Sequence, residues 1–161
     1  MFAKRLAPLI GTQRLKHLTC RRAPYATTAE TYDLITQEQG LSRIEGYTSG
    51  GFIVNDTHVQ GAVLCLSNLV LHWKVQSLAD VSVDSLAVLD IIKPKPDIVV
   101  IGCGANIERL PDTLTRGLAA KGIAVEVAST PNALATFNVL NQEGRVTAGA
   151  LLPLQAGAGD R

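Results

Sequence analysis

Asp97-Ile98-Val99-Val100-Ile101-Gly102-Cys103-Gly104 decides the architecture. Four consecutive aliphatic residues that run into a Gly-x-Gly turn read as a short strand, spanning 97–101 and buried on both faces, as in a parallel sheet covered by helices. The residues that follow alternate in kind. Pro111 at a first helical turn, Leu110, Leu114 and Leu118 at a spacing of four, and Gly122 at the end predict a helix over about 111–121. Residues 123–127 repeat the buried-strand pattern. Thr130-Pro131 then opens a helix with Leu134, Phe137 and Leu140 inward and Gly144 as its stop, before a last strand over 146–152. Strands and helices that alternate through short loops make an α/β layered domain, with right-handed crossovers where strands are parallel.

Toward the N-terminus the period changes to that of β-structure. Phe52-Ile53-Val54 and the run 59–66 flank Asn55-Asp56-Thr57-His58, whose Asn and Asp tolerate left-handed backbone angles, so a hairpin is expected after a turn or bulge at Gly50-Gly51. Residues 68–75 form another extended run, with Leu69, Leu71 and Trp73 on one face and Val70, His72 and Lys74 on the other; Trp73 is read as core. Ser82 caps a helix through Leu86, Leu89 and Asp90, which stops near Ile92 because Pro94 and Pro96 disfavour its continuation.

The net charge of +1 hides an asymmetry. Residues 1–29 carry Lys4, Arg5, Arg14, Lys16, Arg21 and Arg22 and no acid, so the rest of the chain has nine basic against 14 acidic residues. A basic, acid-free leader with no continuous apolar stretch reads as a cleaved organellar presequence; the alternative, a basic tail for RNA or anionic lipid, fits less well with the acidic body. The expected organisation is therefore a presequence over 1–29, a polar linker over 30–43, one α/β domain over 44–154 and a flexible tail over 155–161. Aromatics are 4% of residues, so the core is aliphatic. The most hydrophobic stretch, 59–75, is interrupted by Gln60, Gly61, Ser67, Asn68, His72 and Lys74, and no transmembrane segment is expected. Cys20, Cys65 and Cys103 form no CxxC pair and His17, His58 and His72 are scattered, which argues against a metal site.

Two loops are candidates for chemistry. Gly102, Cys103 and Gly104, followed by Glu108 and Arg109, resemble part of a dinucleotide turn, in which glycines let the backbone approach a pyrophosphate at a helix N-terminus. The pattern is incomplete, because Ile107 occupies the third glycine position and residues 105–110 separate the glycines from Pro111. The simpler reading is a tight exit from the strand. Thr130, Pro131 and Asn132 open a helix at the same edge if the strands are parallel, and Asn138 lies two turns further on; these residues could orient a ligand or partner, or cap and pack. No nucleophile stands beside a base, so no catalytic residue and no cofactor are assigned.

Ser49-Gly50-Gly51-Phe52-Ile53-Val54-Asn55, the aliphatic run ending in Trp73, 97–104 with Glu108-Arg109-Leu110, Gly122-Ile123-Ala124-Val125-Glu126-Val127, Thr130-Pro131-Asn132-Ala133-Leu134-Ala135-Thr136-Phe137-Asn138 and Glu143-Gly144-Arg145-Val146 together resemble the mitochondrial complex I assembly factor 3 family over about residues 44–154. The resemblance implies a three-layer α/β fold with a central mixed sheet, an N-terminal β-hairpin region followed by α-β-α-β-α-β. It also implies a matrix protein peripheral to the inner membrane that helps early assembly of NADH:ubiquinone oxidoreductase by binding a second assembly factor and early subunits. It implies no enzymatic activity, cofactor or nucleic acid. The competing readings are a small ligand- or nucleotide-binding module that uses the Gly102-Cys103-Gly104 loop, and a permanent accessory subunit of a mitochondrial complex.

Overall fold

The computed structural model describes residues 32–37 and 40–155 and builds them on one six-stranded sheet. In chain order the strands are β1 (Tyr32–Gln37), β2 (Ile44–Tyr47), β3 (Gly51–Val54), β4 (Thr57–Gln60), β5 (Ala62–Leu66), β6 (Leu69–Trp73), β7 (Ile98–Gly102), β8 (Ala124–Ala128) and β9 (Thr147–Leu151). The helices are α1 (Val88–Ile91), α2 (Asp112–Ala120) and α3 (Thr130–Gln142). The large sheet runs β1-β6-β5-β9-β7-β8. β7 is parallel to both β8 and β9, whereas β5 is antiparallel to β9 and β6, so the sheet is mixed. β2, β3 and β4 form a separate antiparallel sheet.

Alternation along the central strands sorts the core into two halves, because successive side chains of a strand leave opposite faces. Leu64 and Leu66, Leu71 and Trp73, Val99 and Ile101, and Ala148 and Ala150 face the layer that contains Leu86, Leu89, Leu114 and Leu118. Val63 and Cys65, Val70, Val100 and Leu151 face the other layer, where Ala133, Leu134 and Phe137 of α3 meet Ile44, Phe52, Val54 and Val59 of the small sheet. The product is three layers, as the resemblance implies. Trp73 is fully buried, and its indole N–H donates to the Ser85 carbonyl at 2.9 Å, which satisfies the one polar atom that its burial removes from water.

Several local expectations give way. The stretch assigned as linker over 30–43 contains β1, which pairs antiparallel with β6; a ladder bonds through the backbone, and a polar sequence carries no apolar signal for it. The run 59–66 is not one strand. Gly61 at φ 84° breaks it, so that β4 stays in the small sheet and β5 enters the large one. The expected hairpin is formed by β3 and β4, and Asn55 and Asp56 both take positive φ (47° and 59°), as a two-residue type I′ turn demands. The helix expected from Ser82 is a 3₁₀ turn at Asp84–Leu86 followed by the single turn α1, with the Ser82 hydroxyl accepting the Ser85 N–H at 3.1 Å. Residues 123–127 do not yield a strand buried on both faces. β8 lies at the sheet edge with Ala124 and Glu126 exposed, because β9 takes the inner place beside β7. Leu140 is half-buried rather than fully inside. The presequence expected over 1–29 lies outside the described residues, as does the tail beyond Gln155, whose N–H donates to the Ser49 carbonyl at 3.0 Å.

Candidate functional site

The two candidate loops do converge at the carboxyl ends of the parallel strands β7 and β8, where open α/β sheets bind ligands. What fills that place is the protein itself. β7 leaves the sheet at Gly102, Cys103 donates its N–H to the Ala128 carbonyl at 3.0 Å, and Gly104 turns the chain at φ 99°. The buried Thr130 hydroxyl accepts the Gly104 N–H at 2.9 Å and donates to the Leu152 carbonyl at 2.5 Å. In return the Thr130 N–H donates to the Gly104 carbonyl at 2.7 Å, and Leu152 N–H donates to the Gly102 carbonyl at 3.0 Å. One threonine thus ties together the end of β7, the start of α3 and the exit of β9.

Gly102 exists for this closeness. A Cβ there would lie 2.9 Å from Thr130 Oγ1 and 3.1 Å from the Thr130 Cα, nearer than side-chain carbons approach. Gly102 therefore admits the helix start, and Gly104 supplies the positive φ of the turn beside the Pro153 carbonyl. An anion at a helix N-terminus is held by the unpaired N–H groups of the first turn. In α3 the first of these, on Thr130, goes to Gly104, Pro131 has none, and Ala133 begins the helical ladder by donating to Ser129. Only the Asn132 N–H is left without a described backbone partner.

The remaining candidates spread over separate surfaces. Glu108 and Arg109 sit on the exposed loop 105–109, where Arg109 pairs with Asp112 at 3.5 Å in full solvent, an arrangement that contributes little. Asn132 is exposed. Asn138 faces the small sheet, donating through Nδ2 to the Ile44 carbonyl at 2.8 Å and accepting the Ile44 N–H at Oδ1 at 3.2 Å, so that it imitates a strand partner for β2. Sequence reasoning missed its companion, Asn141, whose Nδ2 donates to the carbonyls of Ser42 (2.9 Å) and Ser67 (3.2 Å). The signal was present: Asn141 follows Leu134 and Phe137 at inward spacing, and a polar residue at an inward position of a helix needs a partner.

Cys103 lines a cleft of about 290 Å³ with Ser77, Leu78, Asn106, Glu108 and Leu154. Its thiol has only the Glu108 carbonyl at 3.8 Å, and burial pushes its pKa upward, away from the thiolate that nucleophilic chemistry requires. Cys65, fully buried under α3 and the small sheet, is pushed further in the same direction by desolvation alone. Among the described residues no three His, Cys, Asp or Glu side chains converge where a metal would sit, and no helix is long and apolar enough to cross a membrane.

Fold and site together define a three-layer α/β domain in which Thr130 joins the ends of β7 and β9 to the start of α3, beside an open cleft at Cys103. Residues 44–152 match the family described as a protein of unknown function (DUF498/DUF598), and the chain belongs to that family. It is 42% identical over 125 residues to NADH dehydrogenase [ubiquinone] 1 alpha subcomplex assembly factor 3 of Bos taurus, a match covering 77% of this chain and 68% of the relative. With the Homo sapiens protein of the same name the identity is 43% over 114 residues, covering 71% of this chain and 62% of the relative. Among solved structures, a Bordetella parapertussis protein superposes with a TM-score of 0.65 at 30% identity, covering 71% of this chain and 98% of that one. A Mth938-like domain from Bordetella pertussis superposes with a TM-score of 0.62 at 25% identity, covering 74% and 90%.

Proposed function

We propose that this chain is an assembly factor for the mitochondrial NADH:ubiquinone oxidoreductase and that it acts by binding other proteins, without catalysis. The observation that carries the reading is the identity of about 42% to assembly factor 3 proteins along the length of the three-layer domain. The strand ends support the non-catalytic part, since Gly102, Gly104 and Leu152 pair with Thr130 and with one another, and burial pushes the Cys103 thiol's pKa upward. Residues 1–29 serve as the presequence, the mature protein works in the matrix at the face of the inner membrane, and its partners are a second assembly factor and early subunits of the complex.

Complementation separates this reading from a ligand-binding enzyme that uses the Cys103 cleft. In a strain lacking the protein, Cys103→Ser and Asn132→Ala should restore complex I to the wild-type level. Purified protein should show no rise in melting temperature with dinucleotides or phosphate, since a ligand that binds only the folded state raises it by mass action. A well-folded but inactive Cys103→Ser protein, together with reproducible nucleotide stabilisation, would sink the proposal.

A further inference from the structure

Strand β8 ends the large sheet, and beyond it lies no other described strand. In a parallel ladder the N–H and C=O of one residue point to the same side, and the sides alternate along the strand. The Ala124 N–H donates to the Asp97 carbonyl at 2.9 Å, and the Ala128 carbonyl accepts the Cys103 N–H at 3.0 Å, so residues 124, 126 and 128 address β7. Val125 and Val127 therefore turn both of their backbone groups outward, where no described backbone group meets them. Their side chains pack half-buried on the core face that α2 covers. Glu126 leaves the other face, exposed and without an ion pair among the described residues. Beside Val127 opens a groove of about 390 Å³ in which Ile107, Leu110 and Val127 are the apolar lining and Glu108, Arg109, Asp112 and Thr115 the polar lining, with Ile107 64% exposed.

Unpaired edges of this kind are templates for strand addition, in which backbone hydrogen bonds supply affinity and alternate side chains supply specificity. We propose that β8 is the docking edge for an extended segment of a partner polypeptide. The residue opposite Val127 is aliphatic and enters the groove, and the residue opposite Glu126 is Lys or Arg. This rests on the protein-binding function proposed above. Charge favours a foreign segment over the β8 strand of a second copy. The self-pairing that uses both Val125 and Val127 centres on residue 126 and sets Glu126 against Glu126, in the close non-hydrogen-bonded position where like charges destabilise.

The test uses tagged mature protein purified from mitochondria with the complex I subassemblies it carries, and residue-resolved amide exchange. The Val125 and Val127 amides should exchange at least about tenfold more slowly in the subassembly than in the isolated chain. Glu126→Lys should lower recovery of the subassembly at least about tenfold while leaving the melting temperature unchanged, since Glu126 is solvated in the free protein. Recovery of subassemblies with unchanged exchange at both valines would overturn the docking edge alone, leaving the assembly function standing. Protection that appears in the isolated chain as its concentration rises would overturn it in favour of self-pairing. Absence of complex I subunits from the wild-type preparation would overturn both.

Discussion

Thr130 links three segments through one hydroxyl, and its burial makes that link worth measuring. Thr130→Val keeps the shape but strands the Gly104 N–H and the Leu152 carbonyl, each at about 1–3 kcal/mol when buried. Chemical denaturation should show a loss in that range or above, and Thr130→Ser should recover most of it. From sequence alone Thr130 could be read as a helix opener, since Thr-Pro is a strong start signal. Its bonds to Gly104 and Leu152 were not legible, because they join residues 26 and 22 positions apart through a parallel sheet whose strand order no local pattern states. The two buried thiols make a pH prediction. Both have folded pKa values raised by desolvation, so the neutral form stabilises the fold at neutral pH, and stability falls as pH climbs past the ordinary thiol range of about 8.5, where the unfolded chain ionises first. Denaturation midpoints at pH 7 and pH 10 should show that fall, and replacing Cys65 with Ala should flatten it.

Helix α3 acts as an element on two fronts. Its apolar side closes one face of the sheet, and Asn138 and Asn141 hold β2 and the Ser42 and Ser67 backbone. Asn138→Ala leaves both backbone groups of Ile44 without their partner, so hydrogen exchange at the Ile44 amide should accelerate and stability should drop by about 1–3 kcal/mol. Unchanged exchange there would show that β2 is held by its apolar contacts alone. Elements with strong periodicity or proline and glycine punctuation were legible in the sequence: α2, α3, β7, β9 and the β3–β4 hairpin. Those whose signal lies in their neighbours were not. β1, which has no apolar run, is the example; β8 was legible as a strand but not as an edge, because its valines need only the α2 face to be covered.

At the scale of the whole molecule the core is a sandwich of aliphatic layers with few large anchors, so loss of one anchor is costly. Phe137 is fully buried and its ring lies against Gly149, where an added Cβ would come within 3.1 Å of the ring. Phe137→Ala should cost about 3–5 kcal/mol, read from the denaturation midpoint. The layer order followed from the alternation of strand and helix patterns together with the resemblance. The seating of Thr130 against Gly102 did not, since Gly-x-Gly before a helix has the same spelling whether it receives a phosphate or a threonine. The central claim is that this domain works by binding proteins during assembly of complex I, and native-gel complexome profiling of mitochondria tests it most directly. The account predicts that the chain migrates with complex I subassemblies and is absent from the mature complex. Migration only as a free monomer, together with normal complex I in mitochondria from which the chain has been deleted, would contradict the account.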